Sequence, residues 1–203
     1  MAPHHHCVIS GTGRAGTTFL VGLLTRLGID TGFAPADVIL ENPAHAGLER
    51  TTLKRKLPYV VKSPWLCDRL EEALRRDADL VVDCVLLPVR DLKAAAESRL
   101  DVQERTTGSR NGSAVPGGLW LTSDAGAQES ILQGQLATLI ATVARHDIPL
   151  VLLWYPRLVQ DPRYLFEKLK FLIPDISASE FERVFYDVVR PDWVHQFSPD
   201  DKA

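Results

Sequence analysis

A short apolar strand that runs through a glycine-rich turn into a helix constrains this chain more than any other feature. The strand is predicted at His5 to Ser10 and the helix at Thr17 to Leu27, with glycines at positions 11, 13 and 16 between them. Glycines let backbone amides turn inward, and the N-terminus of a helix adds partial positive charge. The sequence therefore predicts an anion cradle at the start of the first helix.

The rest of the chain alternates between predicted strands and helices. Further strands are expected at 58–62, 80–89 and 149–155, and further helices at 64–76, 92–102, 125–146, 162–172 and 177–188. The run Leu80 to Val89 is almost wholly apolar, as in a strand that is covered on both faces. Strands joined by helices pair in parallel, so we expect a three-layer α/β/α sandwich of the P-loop nucleotide-binding type, with one domain over residues 1–203.

Charge and composition narrow the class of protein. The net charge of −3 does not favour nucleic acid as a partner, and no apolar run approaches the length of a membrane span. The N-terminus lacks the pattern of a signal peptide. Cys7, Cys67 and Cys84 form no CxxC pair, so we expect reduced thiols in a cytoplasmic protein.

The cation of the predicted anion loop lies inside the loop. The spacing Gly11-x4-Gly16 equals that of a Walker A motif, but Thr17 stands where that motif has lysine. Arg14 supplies a positive charge instead. A tight strand–helix turn without a ligand is the alternative. The order of strand, glycines, arginine, two threonines and helix favours phosphate binding.

The segment Gly13 to Phe19 resembles the 5′-phosphosulfate loop of sulfotransferases. That family reads Lys or Arg, then Ser, Gly, Thr and Thr, and often an aromatic residue; here Ala15 replaces the serine, and Phe19 lies where many members place a tryptophan beside the adenine. The resemblance implies that the nucleotide is bound by Gly11, Gly13, Arg14, Ala15, Gly16, Thr17, Thr18 and Phe19.

A second part of the resemblance follows the third strand. Arg90 ends that strand and Ser98 lies eight residues later, the spacing at which the family holds the nucleotide 3′-phosphate. Guanidinium groups suit bidentate phosphate binding. The alternative is a helix cap at Asp91 with a solvent-exposed serine.

Two other segments are similar to family motifs. Lys62-Ser63-Pro64 resembles the Lys-x-Pro that follows the second strand, and residues 155–162 resemble a Tyr-Glu-Asp-Leu…Asp-Pro segment in which Pro156 and Arg157 replace the two acidic residues. The family's Arg-Lys-Gly phosphate motif has no clear counterpart here.

The resemblance implies transfer of a sulfuryl group from 3′-phosphoadenosine 5′-phosphosulfate to a hydroxyl or amine of a small-molecule acceptor, without a metal. Arg14 and Lys62 would neutralise the leaving phosphate. For the general base, Glu49 is the first choice and His45 the second, because residues 42–49 are similar to an Asn-Pro-x-Gly-x-x-Glu piece with its spacing changed by one residue. The sequence identifies neither the acceptor nor the oligomeric state.

Two other functions stay open. A small-molecule kinase would use ATP and Mg²⁺ held by Thr18 and Asp83, but Asp83 is predicted near the start of its strand, far from the ligand edge. A noncatalytic nucleotide-binding module is the other. The histidines at 4–6 are not expected to bind a metal, because neighbouring strand residues point to opposite faces.

The segment from Thr106 to Gly118 is rich in Gly, Ser and Thr. Long irregular loops in compact domains are often functional. We expect this segment to be mobile and to close over the ligand, with Arg105 and Arg110 adding charge to the pocket.

Overall fold

Four strands and six α-helices make up the part of the chain that the computed structural model describes, residues 2–38, 47–50 and 53–190. The strands are β1 (His4–Ile9), β2 (Val60–Lys62), β3 (Leu80–Val89) and β4 (Leu150–Trp154). The helices are α1 (Thr17–Arg26), α2 (Leu66–Arg76), α3 (Leu92–Thr107), α4 (Gln128–Arg145), α5 (Pro162–Leu169) and α6 (Ala178–Val188). Short 3₁₀ turns lie at Pro35–Val38, Ala125–Ala127 and Arg157–Val159.

The strands form one parallel sheet in the order β2-β1-β3-β4. Val8 pairs with Val61 on one side and with Val85 on the other, while Leu86 pairs with Val151. The predicted α/β class is confirmed. Since all strands run the same way, the carboxyl ends of β1, β2 and β3 meet at one edge of the sheet.

Alternating side chains of the central strands fill two apolar layers. Ile9 and Leu86 pack with side chains of α1, α5 and α6 on one face. Val85 and Leu87 pack with side chains of α2 and α4 on the other. Helices cover both faces of β3, which is why its sequence is almost continuously apolar.

Four helix ends carry residue types that commonly cap helices. Gly28, at φ 81°, closes α1 in the left-handed conformation that favours glycine. The Asp161 carboxylate accepts from the Tyr164 amide at 2.9 Å, and the Ser177 hydroxyl accepts from the Glu180 amide at 3.2 Å. The Asp91 carboxylate caps α3 by accepting from the Ala94 amide at 2.8 Å.

Two local predictions are wrong. The third helix continues past Val102 to Thr107, where Gly108 ends it at φ 76°, so the irregular segment begins later than expected. The apolar spacing of the predicted helix 125–146 also predicts an inward-facing Ile140, but this side chain is 45% exposed. No helix among the described residues is long and apolar enough to cross a bilayer.

Candidate anion-binding site

Residues 11–16, here named the anion loop, connect β1 to α1 at the carboxyl edge of the sheet. Left-handed φ angles occur at Gly13 (70°), Arg14 (55°) and Gly16 (83°). A Cβ on Gly13 would lie 2.7 Å from Arg99 Nη2, and one on Gly16 would lie 2.9 Å from Leu158 Cδ1. Glycine is therefore needed at both positions, for conformation and for space.

The N-terminus of α1 opens onto this loop. Gly16 is its N-cap, and within the described residues no side chain caps the helix. The first turn carries no acidic residue. Free amides and the helix dipole therefore favour a negative charge at this point.

Residues predicted from two separate motifs meet at the anion loop. Arg14 Nε donates to Ser98 Oγ at 3.1 Å, and Arg90 Nη1 donates to the Arg14 carbonyl at 2.8 Å. The Arg90 guanidinium also lies over the Tyr155 ring, 4.8 Å from its centre. The end of β3, the second turn of α3 and the anion loop thus converge on one place.

Two positively charged side chains, Arg14 and Arg90, lie side by side at this place. Burial lowers the pKa of Arg14, and the neighbouring Arg90 lowers it further. Burial is also the main cause that lowers the pKa of Arg90. Guanidinium groups stay protonated at neutral pH even so, and two of them side by side create a positive potential.

Lys62 ends β2 with its ammonium group buried beside α1. Its Nζ donates to Thr18 Oγ1 at 2.8 Å and to the Gly47 carbonyl at 2.6 Å, and it lies 3.2 Å from Glu49 Oε1. Burial lowers the pKa of Lys62, and the Glu49 carboxylate partly offsets that shift. The structure therefore brings the predicted Lys62 and Glu49 together, whereas His45 lies outside the described residues.

Two loop residues take part in packing. Ala15 is fully buried in the apolar layer that holds α1 and α6, and contact of Ala15 with a nucleotide stays a prediction. Phe19 is half-buried and meets Phe185 edge-on at a centroid distance of 5.4 Å. Contact of Phe19 with an adenine ring stays a prediction.

Sequence reasoning missed Arg99. This residue is only 4% exposed, and its Nη1 donates to the Gly118 carbonyl at 2.8 Å, while Nη2 donates to the Thr12 carbonyl. Burial, followed by the charge of Arg14, lowers its pKa to about 10. A signal existed, because Arg99 and Gln103 continue at spacing four from the buried Ala95.

Arg105, near the end of α3, and Arg110, in the irregular segment, both pair with carboxylates, although the charge of Arg105 also acts on Arg14. Arg105 pairs with Asp101 on its own helix, and Arg110 pairs with Glu97. The addition of their charge to the pocket when the segment closes over a ligand stays a prediction. Residues 113–119 are held by Gln103, whose side chain bonds to the backbone of Ser113, Val115 and Leu119.

The opposite edge of the sheet holds paired acids and histidines. His4 Nδ1 lies 3.1 Å from His6 Nε2, His4 Nε2 lies 2.9 Å from Asp77 Oδ2, and His5 Nδ1 lies 2.8 Å from Asp83 Oδ1. Asp83 also accepts from the Tyr59 hydroxyl at 3.2 Å. Asp83 is thus far from the anion loop, as predicted, and the described residues include no cluster of three metal ligands.

No protein-family model and no curated protein matches the sequence. Among solved structures, the chain is similar to the sulfotransferase domain of the Synechococcus PCC 7002 olefin synthase, with a TM-score of 0.49 and 16% identity. The match covers 96% of this chain and 84% of that one. A likeness at this level identifies no function, so the function is inferred from the residues of the site.

Proposed function

We propose that this protein is a sulfotransferase that moves a sulfuryl group from 3′-phosphoadenosine 5′-phosphosulfate to a hydroxyl or amine of a small-molecule acceptor. The contact between Arg14, Ser98 and Arg90 carries the proposal. These residues come from two motifs that resemble the 5′- and 3′-phosphate sites of sulfotransferases, and they meet at the edge of the sheet where such folds bind ligands.

The proposed nucleotide spans two anion sites. Amides of residues 13–18 and the dipole of α1 would hold the 5′-phosphate. Arg90 and Ser98 would hold the 3′-phosphate, which would require Ser98 to exchange part of its contact with Arg14. A charged donor and a hydroxyl donor suit a phosphate that carries several acceptor oxygens.

The proposed transfer is an in-line displacement at sulfur. The acceptor oxygen or nitrogen forms a bond to sulfur, the bond from sulfur to the phosphate oxygen breaks, and the phosphate leaves with the electron pair. Arg14 and Lys62 would neutralise the charge on that phosphate. Glu49, 3.2 Å from Lys62, would take the acceptor's proton, so the base and the electrostatic group are neighbours.

The kinase alternative has less support from the described residues. Thr17 stands at the position of the Walker lysine, and the side chain of Asp83 bonds to His5 and Tyr59 at the other edge of the sheet. A noncatalytic nucleotide-binding module would keep the anion sites and lack transfer.

Release of adenosine 3′,5′-bisphosphate from the phosphosulfate donor tests the proposal, with a panel of phenols, alcohols and amines as acceptors. We expect acceptor-dependent release that falls roughly 100-fold in Lys62→Met. Lys170→Met is the matched control, because Lys170 makes an exposed pair with Glu167. Donor binding without transfer would indicate a noncatalytic module, and phosphoryl transfer from ATP with Mg²⁺ would indicate a kinase.

A further inference from the structure

The inner face of α3 connects two segments that are far apart in sequence. Arg99 donates with one nitrogen to the Gly118 carbonyl and with another to the Thr12 carbonyl of the anion loop. One turn later, the fully buried Gln103 accepts from the Leu119 amide at 3.2 Å. Side chains of α3 therefore bind both residues 113–119 and the anion loop.

Two glycines allow this close approach. A Cβ on Gly13 would lie 2.7 Å from Arg99 Nη2, and one on Gly118 would lie 2.5 Å from Gln103 Oε1. Contacts this short would displace the neighbouring side chains. Because residues 13 and 118 have no side chains, the backbone at these positions can lie directly against Arg99 and Gln103.

Arg99 is a buried cation that donates to two backbone carbonyls, and the charges of Arg14 and Glu49 also act on it. Within the described residues, no carboxylate lies within ion-pair distance of it, and its Nε has no hydrogen-bond partner. Burying a charge without a counter-ion costs free energy. An anion in the loop beside Thr12 and Gly13 would offset part of that cost.

Two tryptophans, Trp65 and Trp120, form an aromatic wall next to Arg99 at the same edge of the sheet. The Arg99 guanidinium lies 5.4 Å from the centre of the Trp120 ring. Trp120 in turn packs on Trp65, with ring centres 5.4 Å apart. Trp65 follows Lys62-Ser63-Pro64, so this pair of rings lies next to the end of β2.

We propose that Arg99 is a positioning residue that couples the anion loop to the Trp65–Trp120 pair, so that binding of a phosphate moves or orders the aromatic wall. The planar guanidinium bonds to both segments at once, and a displacement of Thr12 is passed to Gly118 and Trp120. A lysine ammonium keeps the charge but lacks the rigid fork that joins two carbonyls. This inference rests on the proposed function only in taking the anion to be a phosphate group of a nucleotide.

Tryptophan fluorescence during a titration with inorganic phosphate, and in parallel with adenosine 3′,5′-bisphosphate, tests the coupling. We expect a phosphate-dependent change in emission in the wild type that disappears in Trp120→Phe. Arg99→Lys should bind phosphate within about tenfold of wild-type affinity, roughly the value of one hydrogen bond, and lose most of the emission change. Arg105→Lys, on the outer face of the same helix, should behave as the wild type.

Gly118→Ala provides a second variant that leaves the anion loop intact. Its Cβ would push residues 113–120 away from Gln103, so phosphate should bind while the emission change is lost. An emission change retained in both Arg99→Lys and Gly118→Ala would overturn the coupling, and so would a wild type that binds phosphate without any change. A response to phosphate with no binding of the bisphosphate would contradict the proposed function and leave the coupling supported.

Discussion

The two edges of the parallel sheet use their charged side chains in different ways. At the amino edge, opposite charges and hydrogen-bonding groups pair with each other: His4 with Asp77, His5 with Asp83. Arg55 likewise pairs with Asp79 at 2.9 Å. These groups satisfy one another within the chain.

At the carboxyl edge, the arginines donate to dipoles. Arg14 donates to the hydroxyl of Ser98, and both Arg90 and Arg99 donate to backbone carbonyls. Lys62 has a carboxylate neighbour in Glu49. Three arginines and one lysine are therefore gathered around the anion loop.

This difference indicates which edge of the sheet suits a ligand. Pairs of opposite charge leave little field, whereas four cationic side chains beside the N-terminus of α1 favour a negative charge in the space between them. The carboxyl edge therefore suits an anion, and the amino edge suits structural stability. Substitutions at the two edges should affect different measurements.

The largest effect is expected for Arg14→Ala. Transfer should fall roughly 100-fold or more, because the positive charge nearest the loop is lost. The melting temperature should change by only a few degrees, since Arg14 is half-buried in a loop. Arg14→Lys should keep part of the activity. Near-normal turnover in Arg14→Ala would show that transfer does not require the positive charge of the anion loop.

A smaller effect is expected for Arg90→Ala in calorimetric titrations. Affinity for adenosine 3′,5′-bisphosphate should fall about ten- to a hundredfold, the value of a charge-assisted hydrogen bond. Affinity for adenosine 5′-phosphate should fall less, by the amount that Arg90 contributes through the Arg14 carbonyl. Ser98→Ala should follow the same pattern more weakly, because its hydroxyl is neutral. Equal losses for both nucleotides would assign Arg90 to loop support alone.

A pair of glycine substitutions should have opposite signs. Gly13→Ala forces a Cβ into a left-handed residue, 2.7 Å from Arg99 Nη2, and should lower the free energy of unfolding by about 1–2 kcal/mol and weaken phosphate binding. Gly134→Ala, in the middle of α4 with open space around it, should raise stability by about 0.5–1 kcal/mol. Urea unfolding of both variants measures this, and a neutral Gly13→Ala would contradict the described loop.

The smallest effect concerns the amino edge and pH. Burial, as the main cause, lowers the pKa of His6 below 6.5 in the folded protein. The unfolded chain therefore takes up this proton first, and stability is lost as the pH falls below 6.5 toward the folded pKa. Between pH 6.5 and 5.5, one proton accounts for at most about 1.4 kcal/mol.

His6→Gln should reduce this pH dependence of the free energy of unfolding, measured with urea. The exposed His5 provides the control as His5→Gln. The titratable groups that act on His6 are His4 and Asp83, and they remain in both variants. An unchanged pH dependence in His6→Gln would show that the buried histidine contributes nothing.

Sequence and structure agree best for the candidate site residues that come directly after a strand. The anion loop, Lys62 and Arg90 each stand directly after a predicted strand, and parallel strands bring those ends to one edge. Arg99 escaped prediction because it lies within a helix, where an arginine is usually a solvated residue. The bond from Arg90 to the Arg14 carbonyl was also not predictable, since it depends on the left-handed φ of Arg14.

The central claim is that the carboxyl edge binds a nucleotide through two separate phosphates. Calorimetric titration of the wild type without metal, with adenosine 3′,5′-bisphosphate and with adenosine 5′-phosphate, tests it most directly. The second phosphate should tighten binding about ten- to a hundredfold. Equal affinity for both nucleotides, or binding only of ATP with Mg²⁺, would contradict the claim.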